Sequence, residues 1–150
     1  MIFNHPTRPA LLDQLVTWEY IALDLHRMQR AAESLLGKHD FTSYRTVHCQ
    51  ANSPIRTIEE IRFHKHNEFV FMDILADAYL HHMVRNIMGV LFAIGRGEQP
   101  VSWSLDVLQK RDRTVGGKTA AAAGLYLVKV HYDEKYGLDA TIKWPAIAGY

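Results

Sequence analysis

The stretch that decides the fold runs from Asp77 to Gly97, DAYLHHMVRNIMGVLFAIGRG. Leu80, Val84, Ile87, Leu91 and Ile94 recur there at steps of three and four, which predicts an amphipathic central helix with one face in a core. Each large apolar side chain fully buried on that stripe contributes roughly 1.5 to 3 kcal/mol. The other face carries His81, His82, Arg85 and Asn86, with Gly89 a turn further on. His81 and Arg85 stand four apart and would share a face. A guanidinium so placed is either a solvated surface charge or a donor fork aimed at a carboxylate or phosphate.

Bulk properties narrow the classes. The chain has 150 residues, 48% hydrophobic and 22% charged, enough for one globular domain with a real core. A formal net charge of +1 argues against binding nucleic acid by bulk charge, so partners are recognised locally. The single cysteine, Cys49, excludes an internal disulfide framework and gives no metal-site spacing. The start, MIFNHPTRPALL, reads as no signal peptide, and no apolar run is long enough to span a bilayer, so a cytoplasmic chain is expected.

Around the central helix the elements follow in order. Met1 to Glu19, with Pro6 and Pro9, reads as an extended approach with a short strand at Leu15 to Tyr20. Asp24 is the expected N-cap of a first helix carrying Leu25, Met28, Ala32 and Leu35 and ended by Gly37, with Arg27, Arg30 and Glu33 on a solvated face. The stretch HDFTSYRTVHCQANSP, from His39 to Pro54, reads as a polar loop, rich in groups that stack or hydrogen-bond. From Arg56 to Tyr79 the period becomes two. Thr57, Ile61 and Phe63 predict one strand, His66-Asn67-Glu68 a turn, and Val70, Met72, Ile74, Ala76 and Ala78 the apolar face of a second. Asp73 and Asp77, on the opposite face, read as solvated or salt-bridged carboxylates rather than catalysts.

After the central helix, Ser102 is expected to cap a short helix through Leu105, Leu108 and Gln109. Lys110, Arg111, Arg113 and Lys118 form the densest basic cluster, a candidate for phosphate contacts. The GGKT at its end is excluded as a phosphate loop, since Asp112 stands where the first glycine is required and a helix, not a strand, precedes it. Leu125 to Tyr132, LYLVKVHY, reads as a strand, and residues 134–150 as a loosely ordered tail. Nine histidines invite a metal, but His81 and His82, adjacent on a helix, would point about 100° apart. No HExxH or clustered Cys/His spacing appears, so no metal is expected. The expected fold is α+β: one domain over residues 1–150, an antiparallel sheet of the hairpin, the Leu125 strand and the Leu15 strand, with helices on one face.

The order of motifs resembles the C-terminal half of the tRNA pseudouridine synthase A family. HDFTSYR at His39 to Arg45, Arg56 to Ile58, HHMVRNI at His81 to Ile87, RDRT at Arg111 to Thr114 and GLYLVKVHY at Gly124 to Tyr132 fall in the family's order. The resemblance implies an isomerase that converts uridine to pseudouridine in the anticodon arm of tRNA, without cofactor and as a homodimer. It implies that Arg85 pairs with the family's nucleophilic aspartate, that Leu125 walls the base pocket, and that Arg45 and the loop His48, Cys49, Gln50, Ala51 and Asn52 bind tRNA. The family's GRTD-GVHA motif, which carries that aspartate, has no counterpart here, so the chain alone is expected to be inactive. Two other classes stay open: a non-catalytic tRNA-binding module and a dimerisation domain.

Overall fold

A computed structural model describes residues 1–138, 141, 142 and 144–146. The expectation of a loosely ordered tail therefore falls partly outside the described residues. Strands β1 (Ile2–Asn4), β2 (Thr17–Glu19), β3 (Gly37–Asp40), β4 (Ile55–His66) and β5 (Phe69–Ala76) form one sheet in the order β2-β1-β5-β4-β3. Helices α1 (Leu25–Glu33), α2 (Met83–Gly95) and α3 (Trp103–Lys110) complete an α+β fold. The sheet is mixed rather than purely antiparallel, because β1 and β2 run parallel while the other neighbours run antiparallel.

The expected hairpin is present, with Phe63 opposite Met72, His64 opposite Phe71, and a bulge between Ile58 and Glu60. Ile2, Ile58, Ile61 and Val70 turn into a core shared with Met28, Ala32, Leu35, Ile87, Leu91 and Ile94. Gln29 of α1 fastens that helix to β4, donating to the Ile61 carbonyl at 3.1 Å and accepting from the Phe63 amide at 3.0 Å. Asp24 caps α1 by accepting from the Arg27 amide, as its sequence position implied. Arg27, expected on a solvated face, instead reaches the end of α2, donating from Nε to the Ile94 carbonyl and from Nη2 to the Gln99 carbonyl. Cations are favoured at such carbonyl-rich helix ends.

Three expectations need correction. The central helix begins at Met83, not Asp77: Asp77 prolongs the hairpin, its amide donating to the Thr57 carbonyl and its carboxylate accepting from the Thr57 and Ala78 amides. His82 precedes the helix in a left-handed conformation (φ 62°), so His81 and Arg85 do not share a helical face. Second, α2 is buried nearly all round, with Met83, Asn86, Met88, Val90 and Phe92 inside as well as the expected stripe, whereas Val84 is only half-buried. Third, Leu125 to Tyr132 forms no strand. Its alternation suits a pleated surface, but a strand exists only where a neighbour supplies the ladder, and here Leu125, Leu127, Val130 and Tyr132 stand exposed. Strands β1 and β3 are three and four residues long, too short for an alternation to register in the sequence, with β1 inside the sheet between β2 and β5 and β3 at its edge.

Gly89, in the middle of α2, is required by a close approach: a Cβ there would run into the Lys118 carbonyl. Helix propensity alone would make Gly89→Ala stabilising by up to about 1 kcal/mol. The clash with backbone reverses the sign, and we expect a net destabilisation of about 1–3 kcal/mol in urea unfolding, with helical circular dichroism retained.

Candidate active site

The first turn of α2 is where this buried helix surfaces. Arg85 is half-buried there, and it exchanges two hydrogen bonds with one residue: its Nε donates to the Ala120 carbonyl at 2.8 Å and its own carbonyl accepts from the Ala120 amide at 3.1 Å. Among the described residues it makes no ion pair, so both Nη groups remain open to an incoming acceptor. Next to Arg85 in sequence, Asn86 is 1% exposed, and its side chain makes three hydrogen bonds. Its Nδ2 donates to the Tyr44 carbonyl at 2.8 Å, and its Oδ1 accepts from Arg113 Nη2 at 3.0 Å and from Thr119 Oγ1 at 2.7 Å.

The loop after β3 is laced to the residues that precede α2. Phe41 and Tyr44 anchor it in the core, both with no exposed area. Thr46 meets His81 twice, its hydroxyl 2.9 Å from Nδ1 and its amide donating to the His81 carbonyl at 3.3 Å. The His81 amide in turn donates to Cys49 Sγ at 3.4 Å. The His81 and His82 rings lie 4.1 Å apart between centroids. Thr46, Cys49, His81, His82 and Arg85 therefore form one continuous edge.

Electrostatics follow from this proximity. The Ala51 backbone, then the His81 amide, and then Arg45 and Arg56 hold the Cys49 thiol below its ordinary range, against an opposing effect of burial. Partial burial, followed by the charges of Arg85 and His81, lowers the His82 imidazole from its ordinary 6.5. At Asp40 burial works upward, but the Thr42 hydroxyl and amide, with Arg111 and Arg45, bring the carboxyl below its usual value.

The structure sorts the residues singled out in the sequence. Arg45, His48, Cys49, Gln50, Ala51 and Asn52 share the loop, with His48, Gln50 and Asn52 exposed. Among the described residues the side chains of Arg45 and Gln50 make no hydrogen bond. Leu125 lies apart from them: Gly124 before it is wedged against Met1, Val16 and Thr17, at the β1–β2 side of the sheet, and Leu125 itself is 51% exposed. The basic cluster divides. Lys110 and Lys118 are exposed and Arg111 sits 3.4 Å from Asp40, while Arg113 turns inward to Asn86, Gly117 and Thr119. Arg113 Nη2 is thus not free for a phosphate. Sequence reasoning missed Thr46, Arg56, Thr119 and Ala120; the adjacent glycines 116 and 117, a mark of close backbone approach, were the available signal for the last two. An open depression of about 600 Å³ lies along α3 and another of about 490 Å³ is lined in part by Gly117, Lys118, Thr119 and Ala120; Arg85 lines neither. No set of three or more His, Cys, Asp or Glu side chains is placed to hold a metal among the described residues.

A family model described as tRNA pseudouridine synthase matches residues 31–133, which contain this entire edge. The chain belongs to the tRNA pseudouridine synthase family. Curated relatives named tRNA pseudouridine synthase A agree: one from Pseudomonas aeruginosa is 51% identical over 137 residues, covering 91% of this chain and 48% of the relative. One from Legionella pneumophila is 50% identical over 138 residues, covering 92% of this chain and 53% of the relative. One from Escherichia coli is 49% identical over 138 residues, covering 92% and 51%. The chain thus spans about half the length of the curated relatives it matches. No helix among its described residues is long and apolar enough to cross a membrane.

The lowered His82 pKa gives a signed expectation. A histidine kept neutral in the fold contributes stability that is present above its unfolded pKa of about 6.5 and is lost as pH falls below it. In an NMR titration His82 should protonate below 6.5, and its midpoint should rise in Arg85→Gln, where one neighbouring positive charge is gone.

Proposed function

We propose that this chain is the part of a tRNA pseudouridine synthase that grips the anticodon arm and supplies one wall of the cleft, while the nucleophilic aspartate comes from the remainder of the protein. The observation that carries this is the state of Arg85: its Nε is fixed on the Ala120 carbonyl, its backbone belongs to a buried helix, and its two Nη groups lack a carboxylate among the described residues. A guanidinium within a few ångströms of a carboxylate keeps it ionised and oriented, which a nucleophilic aspartate needs when it attacks a uridine so that uracil can detach, turn and rejoin through carbon. With Nε occupied, that carboxylate docks end-on across Nη1 and Nη2.

The exposed loop supports the RNA-binding half of the proposal. Arg45, His48, Cys49, Gln50, Ala51 and Asn52 present hydrogen-bonding groups and one cation with few internal partners, beside the His81–His82–Arg85 edge, where a flipped-out base requires its flanking backbone to be held. Leu125 acts as an apolar wall of the base pocket once the remaining half of the protein covers it. The whole enzyme works in the cytoplasm as a homodimer, without cofactor, on uridines of the anticodon stem-loop.

Two experiments test this. Replacing both Arg45 and Gln50 by alanine should change stability by no more than about 0.5 kcal/mol. Filter binding should nevertheless show weaker tRNA affinity, with a salt dependence shallower by about one phosphate contact. A large fall in melting temperature with unchanged tRNA binding would return the loop to a structural role. For Arg85, the chain should be joined to the missing half of the Pseudomonas aeruginosa relative. That chimera should form pseudouridine and its Arg85→Lys form should fold but be strongly impaired, while the 150-residue chain alone should be inactive. Turnover by the isolated chain, or full activity of the lysine variant, would overturn the assignment.

A further inference from the structure

We propose that Arg113, with Asn86 and Thr119, is a positioning residue for Arg85, acting through the Ala120 carbonyl. Its catalytic consequence rests on the role proposed above for Arg85, but the geometry stands without it.

The direction in which Arg85 points depends on Ala120, and Ala120 lies in a segment, residues 116–121, that has no regular secondary structure and opens with two glycines. Such a segment is not self-supporting. Apart from the Arg85–Ala120 bond itself, its side-chain hydrogen bonds among the described residues pass through one cluster. A single nitrogen of Arg113, Nη2, faces Thr119 Oγ1 at 2.8 Å, Asn86 Oδ1 at 3.0 Å and the Gly117 carbonyl at 3.1 Å, and Thr119 Oγ1 also donates to Asn86 Oδ1 at 2.7 Å. Asn86 is one residue from Arg85, and Thr119 is one residue from Ala120. The cluster therefore joins the helix and the segment immediately beside the Arg85–Ala120 exchange, so the two pairs work as adjacent rungs.

The base of the clamp is rigid. Asn86 Nδ2 is held by the Tyr44 carbonyl, and the fully buried Tyr44 donates its hydroxyl to the Ser104 carbonyl of α3 at 2.9 Å. Arg113 is placed by its neighbour, since the Asp112 amide donates to the buried Ser43 hydroxyl at 2.9 Å. Among the described residues no carboxylate pairs with Arg113, and its partners are neutral oxygens. The two N–H bonds of Nη2 are shared among these three acceptors in the fixed plane of the guanidinium, a pre-organised placement that a lysine ammonium on a flexible stem lacks.

The test follows the Arg85 Nε–H proton in the ¹⁵N-labelled 150-residue chain, assigned by its disappearance in Arg85→Lys, with the exposed Arg30 as internal reference. In the unsubstituted chain this proton should exchange with water on the order of tenfold more slowly than that of Arg30. Thr119→Val and Arg113→Gln should bring it close to the Arg30 rate, and Thr119→Ser, which restores the hydroxyl, should recover the protection. Val70→Ala, a core truncation in β5, lowers overall stability at a strand that carries no clamp residue and should leave the Arg85 proton protected. Unchanged exchange in both Thr119→Val and Arg113→Gln, or equal loss in Val70→Ala, would overturn the proposal. Turnover of the chimera separates the two ideas: Thr119→Val should lower kcat with KM for tRNA little changed. Loss of protection with undiminished kcat would uphold the clamp and remove the catalytic role of Arg85.

Discussion

Asn86 is an amide with no water to fall back on. At 1% exposure its three engaged hydrogen-bonding positions are all supplied by protein, and leaving one unmet would cost about 1–3 kcal/mol. Satisfying it imposes conditions on distant parts of the chain. The turn at Thr42–Tyr44 must offer the Tyr44 carbonyl, the residues after α3 must bring Arg113 back over α2, and the 116–121 segment must lie close enough for Thr119 to reach. The last condition explains Gly89, because only a residue without a Cβ lets the segment's backbone settle on the middle of the helix.

The burial of α2 also decides where chemistry can occur on it. A helix that is apolar on every side from Ile87 to Ile94 offers functional side chains only at its ends. At the far end Arg27 and Asp24 of α1 satisfy the last carbonyls. The near end is different: His82 holds a left-handed conformation and makes no side-chain cap, so the chain arrives at an angle that sets the His81 and His82 rings against each other beside Arg85. The positive end of the helix dipole adds to the guanidinium charge there, and both favour an anion.

The fold was legible wherever local pattern and tertiary environment agreed. The hairpin showed its period of two and its turn; α1 showed its Asp24 cap and its Met28–Ala32 face; α2 showed its stripe. What escaped had its cause outside the local window. Strands β1 and β3 are three and four residues long and exist because β5 and β4 offer edges to pair with. At Leu125 to Tyr132 the pattern is present and the partner is not, so propensity without a neighbour produced a strand that the described structure lacks. The start of α2 was misplaced because helical spacing continues back to Leu80, while the Asp77 bonds to Thr57 belong to the sheet and cannot be seen in a window of sequence.

At the site, the difficulty was to tell one arginine from another. Arg85 and Arg113 each stand among polar neighbours, and net charge or clustering treats them alike. Their surroundings separate them. Arg113 is followed by TVGGKTA, whose two glycines allow the backbone to double back within reach of its own guanidinium, so its Nη2 is engaged by the segment that follows it. Arg85 sits on a helix, where backbone carbonyls are already committed to the next turn and none of its own can turn back to it. Its Nε finds an acceptor only because the segment bound by Arg113 delivers the Ala120 carbonyl, and its remaining donors still face outward. The inward arginine thus accounts for the outward one: by spending its Nη2 on the segment, Arg113 orients a second guanidinium whose Nη donors are left unspent.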